Sequence, residues 1–138
     1  MDLLPFLVHN WALVLIAVVS GTLLLAPGIL SSTRPGIVPG AAVQLINRER
    51  GVVVDVSETD EFAAGHIVGA RNIPVANFEQ RLPEVVKNKT VPLILVCASG
   101  ARANRCVTKA KSLGYEKAVV LAGGLRAWKE ANLPVERT

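Results

Sequence analysis

Cysteine is scarce in this chain, with two residues in 138. Cys97 and Cys106 share no paired spacing and stand in no cluster of cysteine or histidine, which excludes a disulfide framework and a zinc site. Such unpaired thiols suit a reducing compartment. Internal repeats and low-complexity segments are also missing, so solenoid and disordered classes fall away. The 15 basic side chains outnumber the 11 acidic ones, but they are scattered and no nucleic-acid motif accompanies them, so no nucleic-acid partner is expected. Nothing in the sequence asks for a metal or another cofactor.

Charge is lacking over one long stretch. From Leu3 to Thr33 there is no charged side chain apart from His9, and the apolar run Trp11 to Leu30 has the length needed to cross a bilayer, ~20 residues. The reading is a short N-terminal end over residues 1–10, a transmembrane helix over 11–30, a linker over 31–37 and a folded domain over 38–138. Trp11 takes the place of an interfacial aromatic, while Pro27-Gly28 and then Pro35-Gly36 mark the helix exit and the linker. A cleaved signal peptide fits less well, because Asp2 and no Lys or Arg precedes the run. Arg34, Arg48 and Arg50 follow it, so the expected topology is a single pass with the domain on the cytoplasmic side. Gly21 has no second glycine four residues away, so the strict small-residue dimer motif is absent.

Past Arg34 the pattern alternates short apolar strands with helical periodicity, which predicts an α/β domain with a central parallel sheet flanked by helices. Strands are expected at Val52 to Val56, Arg71 to Ile73, Leu93 to Val96 and Ala118 to Leu121, with a short one near Ile37-Val38. Helices are expected at Ala41 to Arg48, after Ser57 as an N-cap with Gly65 closing, at Phe78 to Lys87 broken by Pro83, at Ala103 to Leu113 and at Leu125 to Ala131. Ligands of such a sheet collect beyond the carboxyl ends of its strands, where Asp55 and Cys97 both fall.

Cys97-Ala98-Ser99-Gly100-Ala101-Arg102 links the strand Leu93 to Val96 to the following helix. A cysteine there faces unpaired backbone N–H groups and the positive end of the helix dipole, both of which favour thiolate over thiol. Gly100 can take φ > 0 and turn successive N–H groups inward as an anion-binding nest. Arg102 closes the ring, bracing loop carbonyls or pairing with an incoming anion. Cys106 recurs with Ala103, Ala110 and Leu113 at helical spacing and is expected in the core. The loop is one residue shorter than that of the cysteine phosphatases, and the smaller ring suits a single sulfur atom better than a phosphoryl group.

Asp55-Val56, Glu61-Phe62, Gly65-His66-Ile67, Gly69-Ala70, Asn72-Ile73-Pro74, Cys97-x-x-Gly100-x-Arg102 and Gly123-Gly124 with Ala127-Trp128 occur in that order. Over roughly Val38 to Val135 this resembles a rhodanese domain, and with the N-terminal span the chain resembles the small membrane-anchored rhodaneses of bacteria. The resemblance implies a sulfurtransferase that needs no cofactor. Cys97 would be the catalytic nucleophile, taking a sulfane sulfur from a small anionic donor such as thiosulfate and passing it from a persulfide to a thiol, a protein thiol or cyanide. Ala98, Ser99, Gly100, Ala101 and Arg102 would hold substrate, and Asp55 would support the site. The implied location is the bacterial inner membrane, with the bilayer as a partner of the N-terminal helix. The family often has arginine two residues after the aspartate that matches Asp55, and here that residue is Ser57. His66, Gly69, Gly123, Gly124 and Trp128 are expected to serve structure. The alternative function is a membrane-tethered docking or sulfur-relay module without significant turnover of its own, and the retained Cys97 loop tilts against it.

Overall fold

The computed structural model describes the backbone of residues 2–31 and 36–138 and the side chains of all of these except 25–31. The chain divides into two units, Met1–Arg34 and Pro35–Thr138.

The first unit holds α1 (Leu3–His9) and α2 (Trp11–Ser31). The short N-terminal end expected over residues 1–10 is therefore helical, and Asn10 breaks it from α2, its side chain donating to the Phe6 carbonyl at 2.9 Å. The backbone stays helical through Pro27 and Gly28 to Ser31, so the helix exit expected at those residues falls later. Among the described residues no single helix is long and apolar enough to cross a membrane; Leu3–His9 and Trp11–Leu24 meet that test only as a pair bent by 84°. A single transmembrane helix over residues 11–30 is therefore not shown, and most of the expected linker, residues 32–35, lies outside the described residues.

The second unit runs α3 (Pro39–Glu49), β1 (Val52–Asp55), α4 (Thr59–Ala64), β2 (His66–Ile67), β3 (Arg71–Asn72), a 3-10 turn (Val75–Asn77), α5 (Phe78–Val85), β4 (Leu93–Val96), α6 (Ala101–Ser112), β5 (Ala118–Val120), α7 (Gly124–Glu130) and β6 (Val135–Glu136). Four strands form a parallel sheet in the order β3-β1-β4-β5. Val56, Ile73 and Leu121 fall one residue beyond their strands yet continue the ladder, donating to the carbonyls of Val96, Asp55 and Leu95 at 2.8, 2.9 and 3.0 Å. Ile37 adds only an isolated parallel bridge to Leu121.

β-Branched and leucine runs build β1 and β4, and successive side chains turn to opposite faces. Val54, Val56, Leu93, Leu95 and Cys97 join one buried cluster with Phe78 and Leu82 of α5 and Ala103, Cys106 and Ala110 of α6. Val53, Ile94 and Val96 join the other with Ala42 of α3 and Trp128 of α7. A sheet buried on both faces explains why these strands read as continuous apolar runs.

Two helices differ from expectation. α4 begins after Glu58 rather than Ser57, because Glu58 and Glu61 close a capping box there. α5 continues through Pro83 to Val85 instead of breaking there. Its end is covered by side chains: Arg71 donates to the Val85 carbonyl and the Tyr115 hydroxyl to that of Val86. The antiparallel pair β2-β6 was not foreseen.

Candidate functional site

Cys97 follows the last residue of β4, and the two-residue alternation sends its side chain to the α6 face, where it is buried. Gly100 caps α6 at φ 100°, a left-handed conformation that costs glycine little. The turn brings two amides onto the sulfur, the Gly100 N–H at 3.0 Å and the Ala103 N–H at 3.5 Å from Sγ. Both belong to the set of orphan donors at a helix N-terminus, so negative charge on Sγ is met by N–H dipoles and by the positive end of α6. Of the expected cradle from Ala98 to Arg102, Gly100 supplies one donor, and the second comes from Ala103, one residue past it. Ala98, Ser99 and Ala101 form the exposed rim of the loop.

The outward side of the loop is fixed by α7. The Leu125 N–H donates to the Cys97 carbonyl at 2.8 Å and the Arg126 N–H to the Ala98 carbonyl at 3.2 Å. Gly124, at φ 60°, permits this approach, since a Cβ there would collide with the Cys97 carbonyl oxygen and sit 2.8 Å from that of Ala98. The Gly123-Gly124 motif thus supports the cysteine loop directly, a role its residues alone did not disclose.

Arg102 does not brace loop carbonyls. Its guanidinium forms a two-pronged ion pair with Glu61 of α4, Nη1 to Oε1 at 2.8 Å and Nη2 to Oε2 at 2.9 Å. This fork geometry is specific to arginine. The hydrogen bond to Arg102 holds the Glu61 carboxyl below its ordinary range, and the same pair raises the Arg102 guanidinium further. Glu61 also accepts from the Glu58 N–H at 3.4 Å, tying the pair to the first turn of α4. Glu61 was visible only as a motif residue; its place three positions into a helix start was a signal for capping, but not for the ion pair.

Asp55 ends β1 in register with Val96, and so stands beside Cys97 at the carboxyl edge of the sheet. Its carboxylate accepts the Ser57 N–H, and its carbonyl accepts Asn72 Nδ2 at 3.1 Å. Burial pushes the Asp55 carboxyl up, opposed by the Ser57 hydrogen bonds and by the charges of His66 and Arg102. It organises the loop that leads into α4.

His66 is buried and bonded on both nitrogens, Nδ1 to the Phe62 carbonyl at 2.7 Å and Nε2 to Glu136 at 3.1 Å, while its ring stacks on Phe62. The carbonyl can only accept, so Nδ1 carries a proton. These bonds hold β6 against the end of α4. Trp128 is buried and donates to the Pro134 carbonyl at 2.9 Å. Cys106 lies in the core, where burial pushes its thiol up. Among the described residues no group of His, Cys, Asp and Glu could hold a metal ion.

The fold and site together define a cysteine-centred anion loop mounted on the carboxyl edge of a parallel α/β sheet. The chain belongs to the rhodanese family: residues 38–131 match its Rhodanese-like domain. It is 33% identical over 134 residues to the uncharacterized protein YibN of Escherichia coli, covering 96% of this chain and 91% of that one. It is 32% identical over 103 residues to the thiosulfate sulfurtransferase GlpE of Pseudomonas putida, covering 72% of this chain and 88% of that one. Among solved structures it is similar to the human single-domain sulfurtransferase TSTD1, with a TM-score of 0.62 and 30% identity over 70% of this chain and 96% of that one.

Proposed function

We propose that the protein is a sulfurtransferase that carries a sulfane sulfur on Cys97, moving it from a donor such as thiosulfate to a thiol, protein thiol or cyanide. The observation that carries this reading is the pair of N–H donors, Gly100 at 3.0 Å and Ala103 at 3.5 Å, aimed at Sγ beside Arg102. In the first half-reaction the Cys97 thiolate attacks the outer sulfur of the donor. The donor S–S bond breaks, its electron pair leaves with sulfite, and Cys97–S–S⁻ remains. An acceptor thiolate or cyanide then takes that sulfur and returns the Cys97 thiolate, so no net oxidant is consumed. The outer sulfur would extend past Sγ toward the exposed rim of Ala98, Ser99 and Ala101, with the Gly100 and Ala103 N–H groups as preorganised donors behind it.

The N-terminal unit is proposed as an anchor in the bacterial inner membrane that leaves the catalytic domain in the cytoplasm. Its support is the uncharged stretch and the exposure of Leu3, Phe6, Trp11 and Leu24 along the bent helix pair, with the first arginine only after it.

The test is intact mass of the purified protein before and after thiosulfate, with Cys97→Ser and Cys106→Ser alongside. A gain of one sulfur, ~32 Da, lost only in Cys97→Ser and reversed by cyanide, is the expected result for a thiolate carrier. No adduct on folded protein with any sulfane donor would leave the docking reading in its place.

A further inference from the structure

We infer that Glu61 sets the donor class of the Cys97 loop: by engaging both prongs of Arg102 it offsets the one cation of that loop, and so selects a persulfide, which carries at most one negative charge, over a dianion such as thiosulfate. The inference rests on the sulfur-transfer reading above and narrows it. The cysteine loop holds Arg102 alone of the basic residues between Cys97 and Ala103, and Glu61 occupies that guanidinium at 2.8 and 2.9 Å. Ser57 contributes no charge after Asp55. Arg126, which follows the loop-facing end of α7, pairs with Glu130 at 3.4 Å. Arg105 lies a further turn along α6 on its exposed side. On the other side of the account, the carboxyl-bearing Asp55 stands beside Cys97 at the same sheet edge.

A dianion approaching the Cys97 thiolate therefore meets N–H dipoles, which carry about half a charge at a helix N-terminus, and no guanidinium of the loop that lacks a carboxylate partner. Thiosulfate transfer gathers three negative charges in the loop before sulfite departs. A persulfide gathers two as its anion and one in its reactive protonated form: the thiolate attacks the outer sulfur of R–S–SH, the S–S bond breaks, the electron pair leaves on R–S⁻, and Cys97–S–SH holds the proton until it ionises to Cys97–S–S⁻. Charge and sulfur oxidation states balance without a further reactant. The substrate class is the persulfide of a thiol, whether of a small molecule or of a protein cysteine.

The experiment uses the full chain, wild type and Glu61→Gln, with 2-hydroxyethyl persulfide and thiosulfate as donors to one common thiol, at low and high ionic strength. Glutamine keeps an oxygen for the Glu58 N–H and releases the guanidinium charge. Exposed ion contacts are worth up to ~1 kcal/mol and thiosulfate carries about one charge more than the persulfide, so the ratio of kcat/KM for thiosulfate to that for the persulfide should rise about fivefold in Glu61→Gln. That gain should shrink as salt screens the freed charge. A purely structural role for Glu61 would lower both donors together without salt dependence, and a ratio within about twofold of wild type at either salt would overturn the proposal. Wild type alone gives a second check: a steep fall of its thiosulfate kcat/KM with ionic strength would reveal a free cation at the mouth and likewise refute the proposal. Failure of the parent reading looks different, because then neither donor adds sulfur to Cys97.

Discussion

Gly124 and Gly69 both occupy left-handed backbone, at φ 60° and 81°, but they differ in what surrounds them. A Cβ at Gly69 would meet nothing within 4 Å, whereas one at Gly124 would strike the Cys97 carbonyl oxygen and crowd that of Ala98 at 2.8 Å. Alanine at either position carries the left-handed strain, about 1–2 kcal/mol. Only Gly124→Ala adds an overpacking cost of about 1–3 kcal/mol, and relief of the clash must lengthen the Leu125 N–H to Cys97 carbonyl bond. The expected loss is therefore about 1–2 kcal/mol for Gly69→Ala and about 2–5 kcal/mol for Gly124→Ala. At about 4–8 °C per kcal/mol for a domain of this size, the latter should lower Tm by at least about 10 °C. Gly124→Ala should also slow sulfur uptake by Cys97, since displacing the loop by 1 Å can cost about a hundredfold in rate. Urea denaturation and the rate of mass gain on Cys97 measure the two effects. Equal destabilisation by the two substitutions, with sulfur uptake intact in Gly124→Ala, would refute the claim that α7 backs the cysteine loop.

Asp55→Asn tests the buried carboxylate by pH. Because burial raises the Asp55 carboxyl in the folded protein, the native state keeps its proton to higher pH than the unfolded chain. Stability from this group is thus present below the unfolded value, ~3.9, and is lost as pH rises through the folded one. Urea midpoints from pH 3.5 upward, on the ~3.9 scale of an unfolded aspartate, should show wild type losing ground to Asp55→Asn and then levelling. A difference that does not change with pH would contradict the burial argument. Tyr115→Phe should cost about 1–3 kcal/mol by leaving the buried Val86 carbonyl without its hydroxyl donor, read as a shift in urea midpoint without a change in its slope. No change in that midpoint would mean that water replaces the hydroxyl.

The parallel sheet was legible because its evidence is local. Val52 to Val54 and Leu93 to Val96 are unbroken apolar runs, and both ends of β1 and β4 were visible within a residue. α6 was legible for the same reason, with Ala103, Cys106 and Ala110 at helical spacing. The misses around the site join residues far apart in sequence. β2 and β6 are two residues each and pair His66 with Glu136, too short to carry a period and too distant for any turn signal. The Arg102–Glu61 ion pair links positions 41 apart, and the contact of Gly124 with the Cys97 carbonyl depends on α7 arriving at the loop from the opposite face of the sheet. α1 escaped because a hydrophobic run does not reveal where it bends.

That division has a physical cause in how the site is made. β4 delivers Cys97 to the sheet edge, and α6 supplies the amides that face its sulfur; both are consequences of a strand leading into a helix through a glycine turn, and such a unit is written in consecutive residues. What surrounds the thiol comes from elsewhere: Asp55 from β1, Glu61 from α4 and the carbonyl clamp from α7. The thiol is therefore set locally, while the charge around it is set by tertiary contacts. Two chains with the same cysteine loop can then differ in the donors they accept through substitutions at the ends of β1 and α4. In this chain the serine after Asp55-Val56 and the glutamate on Arg102 act in the same direction, both withholding positive charge from the mouth of the loop.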